Sequence, residues 1–119
     1  MDTVPNSNSF VGGIHPLNLE FEHDEIVKAA KVCTDFAVTE ENQKRNQDNR
    51  KMELLKIVKV CVQPVAGLNF YITLEAKNTL TGDITAYQTR VYRHFLGGHE
   101  VKLFRLRSEP MLTRKLKGN

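Results

Sequence analysis

The side chains that most often do chemistry are few in this sequence, and their spacing does not serve it. Cys33 and Cys61 are its two cysteines, too few for a disulfide scaffold and without metal-ligand spacing, so each is read as a free thiol. His15, His23, His94 and His99 form no i, i+4 pair that could hold a metal on one helix face. Neither a metal nor a cofactor is expected, and with no acid–base pair converging on a polar pocket an enzyme is not expected either. What remains are short glycine-containing segments, Gly12-Gly13, Gln63-Pro64-Val65-Ala66-Gly67 and Leu96-Gly97-Gly98-His99. Small residues let a backbone approach another surface closely, and Pro64 fixes one backbone angle while giving up an N–H. A loop stiffened in this way loses less entropy on docking.

Such segments need a frame, and the apolar periodicity supplies one. From Asp24 to about Lys44 the pattern is helical, with Ile26, Ala30, Cys33 and Ala37 on one stripe and Ala29 and Phe36 widening it. Asp24 and Glu25 at the start and Lys44 and Arg45 at the end complement the helix dipole. Before the helix, Ile14 to Glu20 reads as a short extended piece; after it, the polar stretch 42–50 reads as a loop. Strands are expected over Leu54–Gln63, Leu68–Lys77, Thr85–His94 and Glu100–Arg107. The second alternates cleanly, with Leu68, Phe70, Ile72, Leu74 and Ala76 on one face. The breaks between these strands are short and contain Gly, as hairpin connections do. One helix followed by an antiparallel meander predicts an α+β fold, the long helix packed across a four- to five-stranded sheet.

At 119 residues the chain suits a single domain. Residues 1–13 read as a flexible arm, 14–107 as the folded domain and 108–119 as a basic flexible tail. The net charge of +3 is mild and spread out, so neither nucleic acid nor membrane is an expected partner. Asp2, Pro5 and the Asn/Ser run 6–9 occupy the place of a leader's apolar segment. A cytoplasmic protein is therefore expected from the sequence as written, or a secreted or vacuolar one if a leader has been removed.

Gly12-Gly13 and Gln63-Pro64-Val65-Ala66-Gly67, taken in order with the helix segment Cys33-Thr34-Asp35-Phe36-Ala37-Val38-Thr39-Glu40-Glu41-Asn42 between them, resemble the cystatins, and specifically their plant branch. Gln63, Val65 and Gly67 match the family's Gln-x-Val-x-Gly hairpin. Phe36, Ala37, Val38, Glu40 and Asn42 match its helix signature, with Cys33 for the usual Leu and Glu41 for the usual His. The likeness covers roughly residues 10 to 107. It departs at the second hairpin, where cystatins carry Pro-Trp and this chain has Phe95-Leu96. The resemblance implies a reversible, tight-binding inhibitor of papain-like cysteine proteases, whose arm and two hairpin loops plug the active-site cleft without offering a scissile bond. Its protease-binding residues would be Gly12, Gly13, Gln63, Pro64, Val65, Ala66, Gly67, Phe95, Leu96 and Gly97. The alternative is a cystatin-fold interaction module with weak or lost inhibition. A monomer is expected, able to exchange hairpins into a domain-swapped dimer.

Finer expectations follow. Gln63 should support the turn through side-chain hydrogen bonds, and Gly67 should accept a larger residue cheaply unless its φ is positive. Tyr71, Tyr87 and Tyr92 fall at strand spacing and read as structural. Asn42 should serve the helix end. Cys61 should point away from the helix and Cys33 into the core, so no disulfide is expected between them.

Overall fold

The computed structural model describes residues 13–45 and 51–107. Gly12 with most of the expected arm, and the whole expected tail 108–119, lie outside them. Among the described residues the order is β1 (His15–Pro16), α1 (Glu25–Lys44), β2 (Met52–Val65), β3 (Gly67–Asn78), β4 (Ile84–Arg93) and β5 (His99–Leu106). The strands form one sheet in sequential order, each antiparallel to the next. This is the expected helix-on-sheet α+β architecture.

The helix begins where its sequence says it should. The Asp24 carboxylate accepts from the Ile26 N–H at 3.0 Å, satisfying one of the donors that a helix start leaves unpaired. At the other end, Arg45 pairs with Glu41 at 3.3 Å and lies over the Tyr87 ring. Asn42 reaches further than the helix end. Its carboxamide donates to the Met52 carbonyl at 2.9 Å and accepts from the Met52 N–H at 3.0 Å. That two-way clamp ties the last turn of α1 to the first residue of β2.

The inward face of α1 is Val27, Ala30, Cys33, Thr34, Ala37 and Val38, turned slightly from the expected stripe, since Ile26, Ala29 and Phe36 are only half-buried. Thr34 is tolerated inside because its hydroxyl donates to the Ala30 carbonyl at 2.8 Å. Opposite stand the bulky sheet residues Val60, Val62, Phe70, Ile72, Leu74 and Val91. Small residues on the helix and large ones on the sheet let the two layers close without voids. Burying each large side chain contributes roughly 1.5–3 kcal/mol.

The strands run longer than the sequence pattern marks them. β2 continues through Pro64 and Val65, which pair with Leu68 and Gly67, so Ala66 alone forms the hairpin tip. Register shifts between Leu54 and Lys56 and between Ile57 and Lys59 bend this 14-residue strand, as bulges do. Near the N-terminus the extended piece is shorter than expected: only His15 and Pro16 pair with β2. Cys33 is buried, Cys61 half-buried on the sheet face away from the helix, and both are free thiols. Burial pushes the Cys33 thiol up to about 11.

The Asn42 clamp can be tested alone. Asn42→Ala removes two hydrogen bonds and strips both polar groups of buried Met52 of this partner. We expect a loss of about 2 kcal/mol and a fall in Tm of roughly 10 °C by thermal melt. A Tm within about 2 °C of the parent protein would show that the clamp does not hold the layers together.

Candidate functional site

The β2–β3 and β4–β5 hairpins end at the same edge of the sheet, as a meander of matched strands requires. Leu68 pairs with Arg93, so the tip at Ala66 stands beside the loop that runs from His94 to Gly98. Val65, Ala66, Gly67, Arg93, His94 and Phe95 all border one open depression between the two tips. β1 approaches the same edge. His15 pairs with Val62 and Pro16 with Cys61, and continuing that register backwards brings Gly13 level with Pro64. Of the expected site residues, Gly13, Gln63, Pro64, Val65, Ala66, Gly67, Phe95, Leu96 and Gly97 therefore gather at one end of the sheet. Gly12 lies outside the described residues.

The first tip is braced from both sides. The Gln63 carboxamide oxygen accepts from the Tyr71 hydroxyl at 2.6 Å and from Asn69 Nδ2 at 3.3 Å, the side-chain support expected of it, directed across to β3. The Tyr92 hydroxyl, projecting from β4, donates to the Ala66 carbonyl. Tyr71 and Tyr92 thus hold the tip, beyond the plain strand role expected of them. Residue type gives no hint of this, because only the register sets Tyr71 opposite Cys61 and Tyr92 opposite Asn69.

Gly67 departs from the expectation of a tolerant turn. Its φ is +117°, and a Cβ there would lie 2.5 Å from the Arg93 carbonyl oxygen and 2.8 Å from the Tyr92 hydroxyl. Any side chain is both strained and in collision. Gly67 is what allows β4 to press against the tip, so a bulky residue at this position tests folding before it tests binding.

The second tip is closed by Gly97 N–H donating to the His94 carbonyl and His94 N–H donating to the Gly98 carbonyl, both at 3.0 Å. Positive φ values at Gly97 and Gly98, 105° and 99°, make that turn. It pushes Phe95 and Leu96 outward, 75% and 88% exposed, where they can bury area only against a partner. His94 packs edge-on against Tyr92, centroids 4.5 Å apart, so one tyrosine touches both hairpin tips. Behind the loop, His99 pairs with Arg93 across the strands and packs on the Phe36 ring of α1 at 5.3 Å. Its Nε2 is shielded from solvent, with no hydrogen-bond partner among the described residues. Burial, reinforced by the Arg93 charge, holds His99 below the ordinary histidine range.

Comparison with known proteins agrees with this fold. A family model described as the Cystatin domain matches residues 12–101. Cysteine proteinase inhibitor 3 of Arabidopsis thaliana is 40% identical over 67 residues, 56% of this chain and 48% of that protein. The match spans about half the length of that relative.

Two outcomes follow from the site's construction. Gly67→Ala should cost about 1–3 kcal/mol, the usual penalty for a non-glycine residue forced into such backbone, while Tyr92→Phe should cost about 1 kcal/mol. Chemical denaturation ranks the two, and a Gly67→Ala protein as stable as its parent would refute the close approach. The second outcome concerns pH. The folded pKa of His99 lies below the unfolded value of about 6.5, so the unfolded chain takes up the proton first as pH falls. The His99 contribution is complete above about pH 6.5 and drains away below it. Unfolding free energies measured between about pH 7 and pH 5 should fall less for His99→Gln than for the parent, and parallel profiles would contradict this.

Proposed function

Because the chain belongs to the cystatin family, we propose that it acts as a reversible inhibitor of papain-like cysteine proteases and not as an enzyme. The observation that carries this reading is the convergence of Gly13 and two apolar, exposed hairpin tips on one end of the sheet. The cystatin match and the likeness to a plant cysteine proteinase inhibitor support it.

In this mechanism the sheet end enters the protease cleft as a wedge. The Ala66 tip goes deepest, since it carries only a methyl group and its carbonyl is already held by Tyr92. Braced by Gln63 and Tyr92, the tip loses little freedom on docking, and saving that cost is a main source of inhibitor affinity. No cleavable bond is offered, because the strands on either side of Ala66 remain paired up to Val65 and Gly67. Phe95 and Leu96 enter beside it and supply apolar area. The arm, bending at Gly12-Gly13, fills the substrate-binding side of the cleft. Phe95-Leu96 replaces a Trp anchor of the kind that commonly contributes about 2 kcal/mol or more, so inhibition weaker than that of a Pro-Trp cystatin follows.

The test is an inhibition constant against papain and a cathepsin-like protease, with a thermal melt for each variant. Ala66→Arg places a bulky charge at the exposed tip without disturbing the carbonyl that Tyr92 holds. We expect inhibition to weaken about a hundredfold, roughly 2.7 kcal/mol, at unchanged Tm. The double change Phe95→Ala with Leu96→Ala should weaken it about tenfold, and deleting residues 1–13 should weaken it by an amount that depends on the protease. Undiminished inhibition by well-folded Ala66→Arg would remove the tip from the mechanism. No inhibition by the parent protein, even in large excess, would leave a cystatin-fold interaction module.

A further inference from the structure

The sheet face away from the helix carries a second feature, one that the inhibitory edge does not use. Lys59, Thr73, Gln88 and Arg105 are register partners in a single row across β2, β3, β4 and β5. The neighbouring row is Cys61, Tyr71, Arg90 and Leu103. Together the two rows line a shallow depression of about 410 Å³. Its cations are Lys59, Arg90 and Arg105, and no carboxylate among the described residues lines it.

The surrounding charges sharpen the contrast. Glu53 pairs with Lys77 at 3.9 Å and Glu100 with Lys102 at 3.1 Å, and Glu75 stands opposite Lys56 in the register. Glu53 and Glu100 are thus paired with lysines and Glu75 faces one in the register, while Lys59, Arg90 and Arg105 have no carboxylate partner among the described residues. Arg90 lies over the Tyr71 ring at 6.0 Å, and its Nε is shielded from solvent with no hydrogen-bond partner among the described residues. A shielded, unpaired guanidinium donor is costly unless a ligand supplies the acceptor.

We propose that this groove binds an extended, carboxylate-rich segment of a partner protein, laid across the strands. Spacing supports that occupant. Lys59 and Arg105 are three strand spacings apart, about 14 Å. An extended peptide covers that distance in about four residues, so acidic side chains at i and i+4 meet the two ends and one at i+2, on the same face of the peptide, points toward Arg90. In the middle of the row, Thr73 and the amide N–H of Gln88, whose oxygen accepts from Arg105 at 3.2 Å, can hydrogen-bond the peptide backbone. A nucleic acid fits less well, since single strands are held by successive stacking aromatics and the one aromatic lining this groove, Tyr71, has Arg90 over its ring. The groove lies on the flat of the sheet and shares only Tyr71 with the support of the hairpin tips, and the charges that define it are not part of that support, so this proposal stands or falls independently of protease inhibition.

The test uses the full chain and a fluorescent eight-residue glutamate peptide, read by anisotropy. Cys61 serves as a built-in reporter, because it lines the groove while Cys33 is buried. The peptide should bind, lose affinity as salt rises, and slow alkylation of Cys61 by iodoacetamide at least threefold at saturation. Lys59→Glu combined with Arg105→Glu, both at exposed positions, should weaken the peptide at least tenfold while leaving Tm and papain inhibition as in the parent. Arg90→Gln should weaken it further; should that protein fold poorly, the exposed pair still decides. Absence of peptide binding, affinity unchanged in the charge-reversed pair, or Cys61 alkylated at the same rate with peptide bound would each overturn the proposal. So would a single-stranded oligonucleotide of equal charge that binds as tightly as the peptide.

Discussion

The structure depends on how closely one long helix can lie on a bent sheet. Ala30, Cys33 and Ala37 face the sheet as small, fully buried side chains, and Phe70, Ile72 and Leu74 rise from the other layer to meet them. Exchanging the sizes would not be equivalent, because large residues on the helix would hold the layers apart and leave voids. Long strands can follow the helix only if they bend, which explains why the register shifts of β2 fall in the half where it is the sheet edge, before Val62 and Cys61 meet β1. The Asn42 clamp then fixes the point at which helix and sheet meet.

That packing gives the hairpin tips something firm to stand on. A hairpin extending past the edge of a sheet is ordinarily mobile, yet here Gln63 and Tyr92 tie the first tip to β3 and β4. Tyr92 also touches His94 of the second tip, so the two tips are positioned relative to each other by one side chain. In the proposed complex such rigidity favours affinity through entropy, because few rotamers or backbone angles remain to be frozen. Gly67 is the necessary complement to that tyrosine: only a residue without Cβ leaves room for it.

The two faces of the sheet are put to different uses. One is consumed by the core, and its residues are apolar with few exceptions. The other is open, with acids and lysines paired at its margins and three cations at its centre that no carboxylate among the described residues meets. Because the proposed wedge lies at the end of the sheet and the cationic row on its flat, one small domain has room for both proposed contacts.

Much of this was legible from sequence alone. Asp24 as helix start, the alternation of Leu68 to Ala76, the glycine-containing breaks and the order of the recognition segments all depend on neighbours within a few residues, and local sterics and periodicity decide such features. The positions of the strand ends, the single-residue tip at Ala66 and the slight rotation of the helix stripe depend on pairing between distant segments. The same holds for the site. The family resemblance marked Gln63, Gly67, Phe95 and Leu96 as candidates for a recognition edge, but the hold of Tyr92 on Ala66, the collision that awaits any side chain at Gly67, and the row joining Lys59 to Arg105 arise only when register brings residues 14 to 26 positions apart into contact. Sequence by itself determined which residues could form the layers and the tips. The tertiary structure decided which of them meet, because cross-strand register is set by packing over the whole helix–sheet interface and not by any local preference.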